Sequence, residues 1–187
     1  MNLEKIGVPG LDEVLKGGII KKSNILIKGP PGVGKSIMGM QFLLEGAKKG
    51  DAGAFISVEE NLDFIRNNLR LLGLNIDTYE KKKLIYMFKQ NVDLRKPLSI
   101  AEPLELIRKG KVKRIVLDSL TLFKYVSKDE MTYRKELLDL LSNMKEVIFV
   151  AIAEDEKDGV DNVNFTAEEF LFDCVIKLIK IRKGNAF

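Results

Sequence analysis

The chain has 187 residues, of which 45% are hydrophobic, and carries a mild net charge of +4 with no histidine. This length predicts one folded α/β domain over residues 1–187, and the charge by itself does not indicate a nucleic-acid partner. The longest apolar run, residues 147–153, is too short to span a bilayer, and the opening residues do not resemble a signal peptide. The single cysteine, Cys174, excludes an internal disulfide and indicates a cytoplasmic protein, and without histidine any bound metal would be held by oxygens.

Hydrophobic periodicity predicts strands that alternate with helices along the chain. A short helical spacing at Leu11, Val14 and Leu15 ends at a glycine pair. The predicted strands cover residues 23–28, 54–58, 84–88, 114–117, 147–153 and 175–181. The predicted helices cover residues 36–49, a segment capped by Asn61, residues 103–109 and a segment opened by Asp129. This alternation predicts a doubly wound, mainly parallel sheet with helices on both faces.

Two helical segments make more specific predictions. In the helix opened by Asp129, the spacing places Leu137, Leu138, Leu141 and Met144 on the buried face. Near the carboxyl end, Thr166 and Glu169 have the spacing of a capping box, in which the two side chains would start a short helix.

A glycine-rich loop joins the first long strand to its following helix. It reads Gly29, Pro30, Pro31, Gly32, Val33, Gly34, Lys35, Ser36. This is the spacing of a P-loop, whose backbone N–H groups cradle a polyphosphate at a helix N-terminus. We expect Lys35 to reach the β- and γ-phosphates of ATP and the Ser36 hydroxyl to ligate Mg²⁺. The alternative, a glycine turn that binds nothing, fits the flanking strand and helix poorly.

A second motif is the apolar strand that ends in Asp118, which has the form of a Walker-B element. At the carboxyl end of its strand, this carboxylate would lie beside the P-loop and hold Mg²⁺, in part through water. The alternative is an aspartate that only caps the turn after the strand.

A third candidate is the pair Glu59 and Glu60, directly after the strand at residues 54–58. If that strand lies beside the P-loop strand, either carboxylate could orient or deprotonate the water that attacks the γ-phosphate. From the residues alone, a solvated acidic pair in the first turn of a helix fits equally well.

The order of these motifs resembles that of KaiC-like domains of the RecA superfamily. The resemblance begins at Gly7-Val8-Pro9-Gly10-Leu11-Asp12, continues through the P-loop and the strand before Glu59, and is visible again at residues 168–176. It implies a RecA-like ATPase core, assembly into rings or filaments, and nucleotide bound between subunits. It also implies that Glu59 and Glu60 match the family's catalytic glutamate pair.

The sequence departs from the family pattern in the segments that would contact the γ-phosphate. The strand at residues 147–153 runs into Ile152-Ala153-Glu154 where the family has Thr-Ser-Glu. The family's late Lys-x-Arg-Gly-Thr-x-His, which contacts the neighbour's phosphate, is matched in part by Lys180 and Arg182, without the histidine. These two residues are candidates for contacts in trans, and the alternative is a basic, solvated tail.

The sequence therefore predicts a P-loop protein that binds ATP with Mg²⁺ and hydrolyses it. A second hypothesis is a non-hydrolysing module in which ATP drives assembly with copies of itself or with a related RecA-fold partner. A third, a DNA-binding paralogue of recombinases, is disfavoured because residues 154–161 carry five acids and one lysine, which repel phosphate. The run Lys81-Lys82-Lys83 reads as a solvated loop. We expect DNA binding to be weak or absent.

Overall fold

The computed structural model describes residues 3–90, 101–155 and 166–181. Its strands are β1 Leu3–Glu4, β2 Ile19–Ile20, β3 Asn24–Gly29, β4 Gly53–Ser57, β5 Ile85–Lys89, β6 Arg114–Asp118, β7 Ile148–Glu154 and β8 Cys174–Lys177. Its helices are α1 Leu11–Val14, α2 Lys35–Lys48, α3 Leu62–Leu71, α4 Asp77–Lys81, α5 Ala101–Arg108, α6 Thr121–Val126 and α7 Glu130–Ser142, followed by a short 3-10 helix at Glu169–Leu171.

Six strands form one sheet in the order β5-β4-β6-β7-β3-β8, and every neighbouring pair is parallel. Successive side chains of a strand point to opposite faces, so each strand contributes to two separate cores. One core joins the sheet to α2 and α3, and the other joins it to α5, α6 and α7. The predicted doubly wound α/β fold with helices on both faces is therefore confirmed.

The strand order corrects one expectation about the site. The strand that precedes Glu59, β4, does not lie beside the P-loop strand β3, because β6 and β7 are inserted between them. Adjacent strands lie about 4.8 Å apart, so β4 is roughly 14 Å from β3. Periodicity identifies strands but carries no information about their order, which only the packing of the connecting helices decides.

Helix α2 lies unusually close to the sheet, and glycines make this possible. A Cβ at Gly39 would come within 2.8 Å of Val116, and one at Gly46 within 2.6 Å of the Arg114 side chain. Arg114 is almost completely buried, donates to the carbonyl oxygen of Phe42 at 2.9 Å, and packs its guanidinium on the Phe42 ring. These contacts fix the helix that carries the end of the P-loop.

Four short elements were not predicted from the sequence. β1 and β2 pair in an antiparallel two-stranded sheet, and α4 and α6 are short helices after α3 and β6.

The predicted helix face at α7 is wrong at one position, because Leu138 is 48% exposed whereas Leu140 is buried with Leu137 and Leu141. The helix turns by about 100° per residue, so Leu138 lies to the side of the face that Leu137 and Leu141 share.

The predicted capping box at Thr166 and Glu169 is wrong. The 3-10 helix has no side-chain cap, and only the backbone N–H of Glu169 donates to the carbonyl oxygen of Thr166. Both side chains instead contact the buried Lys28 ammonium, with Thr166 Oγ1 at 3.1 Å and Glu169 Oε1 at 2.8 Å. A buried lysine needs charged and polar partners, and this need outweighs a local cap.

Candidate functional site

The P-loop joins the carboxyl end of β3 to the first turn of α2, as the sequence predicted. Gly32 and Gly34 both adopt left-handed backbone conformations, with φ of 77° and 91°, which residues with a Cβ rarely adopt. Gly34 is the N-cap of α2, so the unpaired N–H groups of the first helical turn face the loop. This arrangement places unpaired backbone donors at the positive end of a helix.

Lys35 is buried, with 8% of its surface exposed, although it carries a charge. Its Nζ donates to the carbonyl oxygens of Gly29 and Pro30 at 2.8 and 2.9 Å. Burial lowers the pKa of Lys35, and the nearby Lys180 ammonium lowers it further. Carboxylates, chiefly those of Glu154 and Asp118, oppose this shift. The ammonium is thus held at the start of the loop, within reach of a polyphosphate.

Asp118 and Ser36 are brought together, although they lie far apart in the chain. The Ser36 hydroxyl lies close enough to the Asp118 carboxylate, at the end of β6, to lower the pKa of that carboxyl. Burial raises the pKa of Asp118 to about 6; Glu60 and Glu59 add to the rise, and Ser36 and Lys35 oppose it. The ionised Asp118 carboxylate is therefore destabilised by burial and lacks a full compensating positive charge, and the Ser36 hydroxyl lies next to it.

Glu59 and Glu60 follow β4 and are both exposed. Glu59 is oriented by a hydrogen bond from the buried Ser119, whose Oγ lies 2.7 Å from Oε1 of Glu59. The Ser57 hydroxyl donates to the backbone oxygen of Glu60 at 2.7 Å, which leaves the Glu60 carboxylate outside this contact. Ser119 was not singled out from the sequence. Its position directly after Asp118 was the available signal.

The end of β7 is the part of the site where the sequence departs from the family pattern. Ile152 and Ala153 are buried and offer no hydroxyl to the site. A hydroxyl does approach from another element, because Thr121 Oγ1 at the start of α6 accepts from the Glu154 N–H at 2.8 Å. Sequence spacing could not reveal that Thr121 meets the end of β7.

The segment after β8 returns to the P-loop. Lys180 is exposed, and its charge acts on Lys35 of the same chain. Arg182, the other residue predicted to act in trans, lies outside the described residues. The acidic segment at residues 154–161 is described only as far as Asp155.

The donor set fits a magnesium ion bound together with a phosphate. Within residues 3–90, 101–155 and 166–181, no group of three or more His, Cys, Asp or Glu side chains could hold a metal by itself. Mg²⁺ usually takes one or two protein oxygens and completes its shell with water and substrate phosphates. The hydroxyl of Ser36 and the carboxylate of Asp118, which lie near each other, are such a pair.

A buried ionic cluster lies under the P-loop and was not predicted from the sequence. Lys28, which is 2% exposed, contacts Glu169 at 2.8 Å and Glu168 at 3.4 Å. Tyr133 from α7 lies near Glu168, and its pKa is raised chiefly by burial and then by the charge of Glu168. Lys177 of β8 approaches Glu169 at 3.6 Å from the sheet edge. The cluster connects Lys28, the residue before the P-loop, to the 3-10 helix and, through Glu169, to Lys177 of β8.

A parallel sheet with a glycine loop between β3 and α2, and an aspartate ending β6, defines an α/β protein of the P-loop class. The family model described as "ATPase: KaiC" matches residues 4–187. The chain therefore belongs to the KaiC family of ATPases, and the resemblance seen in the sequence is confirmed.

Individual relatives agree with this family. A UPF0273 protein of Thermotoga maritima is 33% identical over 146 residues, which cover 68% of this chain and 59% of the relative. A UPF0273 protein of Pyrococcus horikoshii is 34% identical, covering 68% of this chain and 58% of the relative. A Synechocystis protein named circadian clock protein KaiC3 is 32% identical over 93% of this chain and 37% of its own length.

The chain thus spans well under two thirds of the length of these curated relatives. In the part of the chain that the structure describes, no helix combines the length and apolar character needed to cross a membrane.

Proposed function

We propose that this chain binds ATP with Mg²⁺ and hydrolyses its γ-phosphate. The observation that carries the proposal is the closeness of the Ser36 hydroxyl to the Asp118 carboxylate at the mouth of the P-loop, where Ser36 opposes the rise in the Asp118 pKa. The end of the loop and the end of β6 thus lie together, and the charges of Asp118 and Lys35 act on each other at the same edge of the sheet. The family to which the chain belongs supports the same activity.

Each part of the loop has a separate task in this proposal. The backbone N–H groups of Gly29 and of residues 32–36 would cradle the phosphates. Pro30, Pro31 and Val33 would shape the turn, and Gly32 and Gly34 would allow its left-handed backbone. Lys35 would leave the carbonyl oxygens of Gly29 and Pro30 and donate to the β- and γ-phosphates. Mg²⁺, bound through Ser36 and Asp118, would neutralise charge on the phosphates.

Glu59 is the better placed of the two acidic candidates to position the attacking water. Its carboxylate is held by Ser119, the neighbour of Asp118, which keeps it close to the proposed metal ligands despite the two intervening strands. An oriented carboxylate can accept a proton from water during in-line attack on the γ-phosphorus. Glu60 raises the pKa of Asp118 through its charge and would support the same step.

A second candidate function is ATP binding without turnover, in which the nucleotide drives assembly. The buried Ile152 and Ala153 favour it, because β7 offers no hydroxyl to a γ-phosphate there. In both cases we propose a cytoplasmic protein that associates with copies of itself or with a related RecA-fold chain. DNA binding would be weak, since Glu154 and Asp155 open the acidic segment next to the site.

Two measurements test these proposals. Titration calorimetry with Mg²⁺-ATP should show saturable binding that weakens about tenfold to a hundredfold in Lys35→Ala, since a charge-assisted contact contributes roughly 1.5–3 kcal/mol. Unchanged affinity in Lys35→Ala would reject the nucleotide site.

Phosphate release then separates the two functions. The double variant Glu59→Gln/Glu60→Gln should bind ATP with parental affinity and release phosphate far more slowly than the parent. Parental turnover in this variant would exclude both carboxylates as catalytic residues. Saturable ATP binding without phosphate release by the parent would instead favour the assembly module.

A further inference from the structure

The turn after β4, residues 58–61, carries both acidic candidates and is fixed by the strands on either side of β4. On the side of β6, the backbone N–H of Val58 donates to the carbonyl oxygen of Asp118 at 2.7 Å. On the side of β5, the N–H of Gln90 donates to the carbonyl oxygen of Ser57 at 2.8 Å. These bonds set the direction in which the backbone leaves β4.

One side chain also reaches this turn from the edge of the sheet. Lys89 is the last residue of β5 and is the register partner of Ser57. Its Nζ donates to the carbonyl oxygen of Val58 at 2.8 Å, directly before Glu59. A hydrogen bond from an ammonium is stronger than one between neutral groups, so Lys89 restrains the turn more firmly than a neutral donor would.

Lys89 and Ser119 therefore hold Glu59 from the two strands that flank β4. The Ser119 hydroxyl fixes the Glu59 carboxylate at 2.7 Å, and Lys89 fixes the peptide group that precedes the Glu59 backbone. The position of a carboxylate depends on its backbone and on its side-chain torsions, and each contact restrains one of these. A small displacement of such a group slows a reaction that needs an aligned water.

We propose that Lys89 is a positioning residue for nucleotide hydrolysis and acts by holding the turn that carries Glu59. The inference rests on the proposed function and deepens it, because it adds a residue outside the P-loop, the end of β6 and the acidic pair. Lys89 was not singled out from the sequence. Its contact with the turn follows from the pairing of β5 with β4, which the sequence does not reveal.

The first test separates turnover from binding. Lys89→Met keeps the length of the side chain and removes the ammonium, so kcat for Mg²⁺-ATP should fall about threefold to tenfold with KM nearly unchanged. Lys89→Arg retains a charged donor and should recover most of kcat. Lys82→Met is the matched control, since the exposed Lys82 lies before β5, at the opposite end of the same strand, and should leave both constants unchanged. A parental kcat in Lys89→Met, or a loss confined to KM, would overturn the inference.

The second test follows the turn itself, without nucleotide. Backbone hydrogen exchange should be faster across residues 58–61 in Lys89→Met than in the parent, because the turn has lost one of its restraints. Exchange in α2 should stay parental, and Lys89→Arg should restore the protection of the turn. Equal exchange in the parent and in Lys89→Met would contradict the inference, since Lys89 would then not hold the turn.

Together the two tests separate this inference from the proposed function. A parent that hydrolyses ATP, with no effect of Lys89→Met on kcat, keeps the proposed function and loses only the positioning role. A parent that binds ATP and releases no phosphate would reject the proposed hydrolysis and the role of Lys89 in it. Calorimetry should give the same ATP affinity for the parent and Lys89→Met, and a weaker affinity in the variant would argue against a role confined to the turn.

Discussion

At the scale of single residues, the mouth of the P-loop holds charges whose protonation is shifted by burial. Lys35 has a lowered pKa and Asp118 a raised one, so each charged form is less stable than in water. A bound polyphosphate and metal would supply the missing opposite charges. The two groups proposed to bind nucleotide and metal therefore lower the stability of the nucleotide-free protein.

The first prediction concerns Asp118. Its folded pKa of about 6 exceeds its ordinary value of 3.8, so the folded chain binds the proton more tightly than the unfolded chain. The free energy of unfolding consequently falls as pH rises from about 4 to 6 and stays lower above that range. Asp118→Asn removes this penalty and should stabilise the nucleotide-free protein by about 1–3 kcal/mol at pH 7.5.

Urea denaturation without nucleotide or Mg²⁺ measures this effect. The difference between Asp118→Asn and the parent should be much smaller at pH 4, where the carboxyl is protonated in the folded chain and roughly half protonated in the unfolded chain. The same variant should lose the Mg²⁺-dependent part of ATP affinity. Equal stability at pH 7.5 would show that Asp118 is not strained in the folded state.

The second prediction concerns Ser119, which acts through Glu59. Removing the buried hydroxyl in Ser119→Ala frees the Glu59 carboxylate that it holds at 2.7 Å. A hydrogen bond to a charged group contributes roughly 1.5–3 kcal/mol, so kcat should fall about tenfold or more with KM nearly unchanged. Ser142→Ala, which removes an exposed hydroxyl bonded to the Asp139 carbonyl, is the control and should leave both constants unchanged. A change confined to KM would argue against a positioning role.

At the scale of elements, β3, β8 and the 3-10 helix are joined by the buried cluster around Lys28. The sequence suggested a local cap at Thr166 and Glu169, but the structure uses both side chains for a contact with a strand far away in the chain. Capping motifs are read over four residues, and such a window cannot detect a buried lysine that competes for the same oxygens. The cluster ties the start of the P-loop to the edge of the sheet.

The third prediction follows from this cluster. Lys28→Met leaves Glu168 and Glu169 buried without their cation and should destabilise the fold by about 3–5 kcal/mol. Lys22→Met removes an exposed lysine paired with Glu146 at 2.6 Å and should change stability by less than about 1 kcal/mol. Adding Glu169→Gln to Lys28→Met should recover part of the loss. Chemical denaturation gives these values, and similar losses in the two single variants would reject the importance of burial.

At the scale of the whole molecule, the sheet brings the ends of β3, β4, β6, β7 and β8 to one edge. The charges of Glu154, Asp118, Lys180 and Glu59, which lie at or after the ends of four of these strands, all act on the Lys35 ammonium that follows β3. The site is therefore a property of the sheet rather than of one loop.

The fourth prediction concerns assembly. If ATP binds better to an associated state, it shifts the equilibrium toward that state by its difference in affinity alone. We expect ATP to promote self-association more than ADP, because the family resemblance implies that the nucleotide lies between subunits. Sedimentation velocity with ATP, with ADP and without nucleotide measures this shift. A monomer in all three conditions would leave a self-contained nucleotide-binding domain.

The sequence by itself determined the alternation of strands and helices, the P-loop with its flanking elements, and the family. These features are local, because the period of apolar residues and the spacing of Gly29, Lys35 and Ser36 can be read from short stretches of sequence. Even so, Leu138 was assigned to the buried face of α7 although it is exposed, because periodicity alone does not fix where the buried face of a helix ends.

Only the tertiary structure decided the order of the strands and the closeness of Ser36 to Asp118. It also decided the hydrogen bond from Ser119 to Glu59 and the position of the segment after β8 beside the P-loop. Each of these depends on which strands become neighbours, and that is chosen by the packing of two cores on opposite faces of the sheet. Residues far apart in the chain meet only because burying those cores stabilises one arrangement over all others. Spacing along the sequence does not encode that choice.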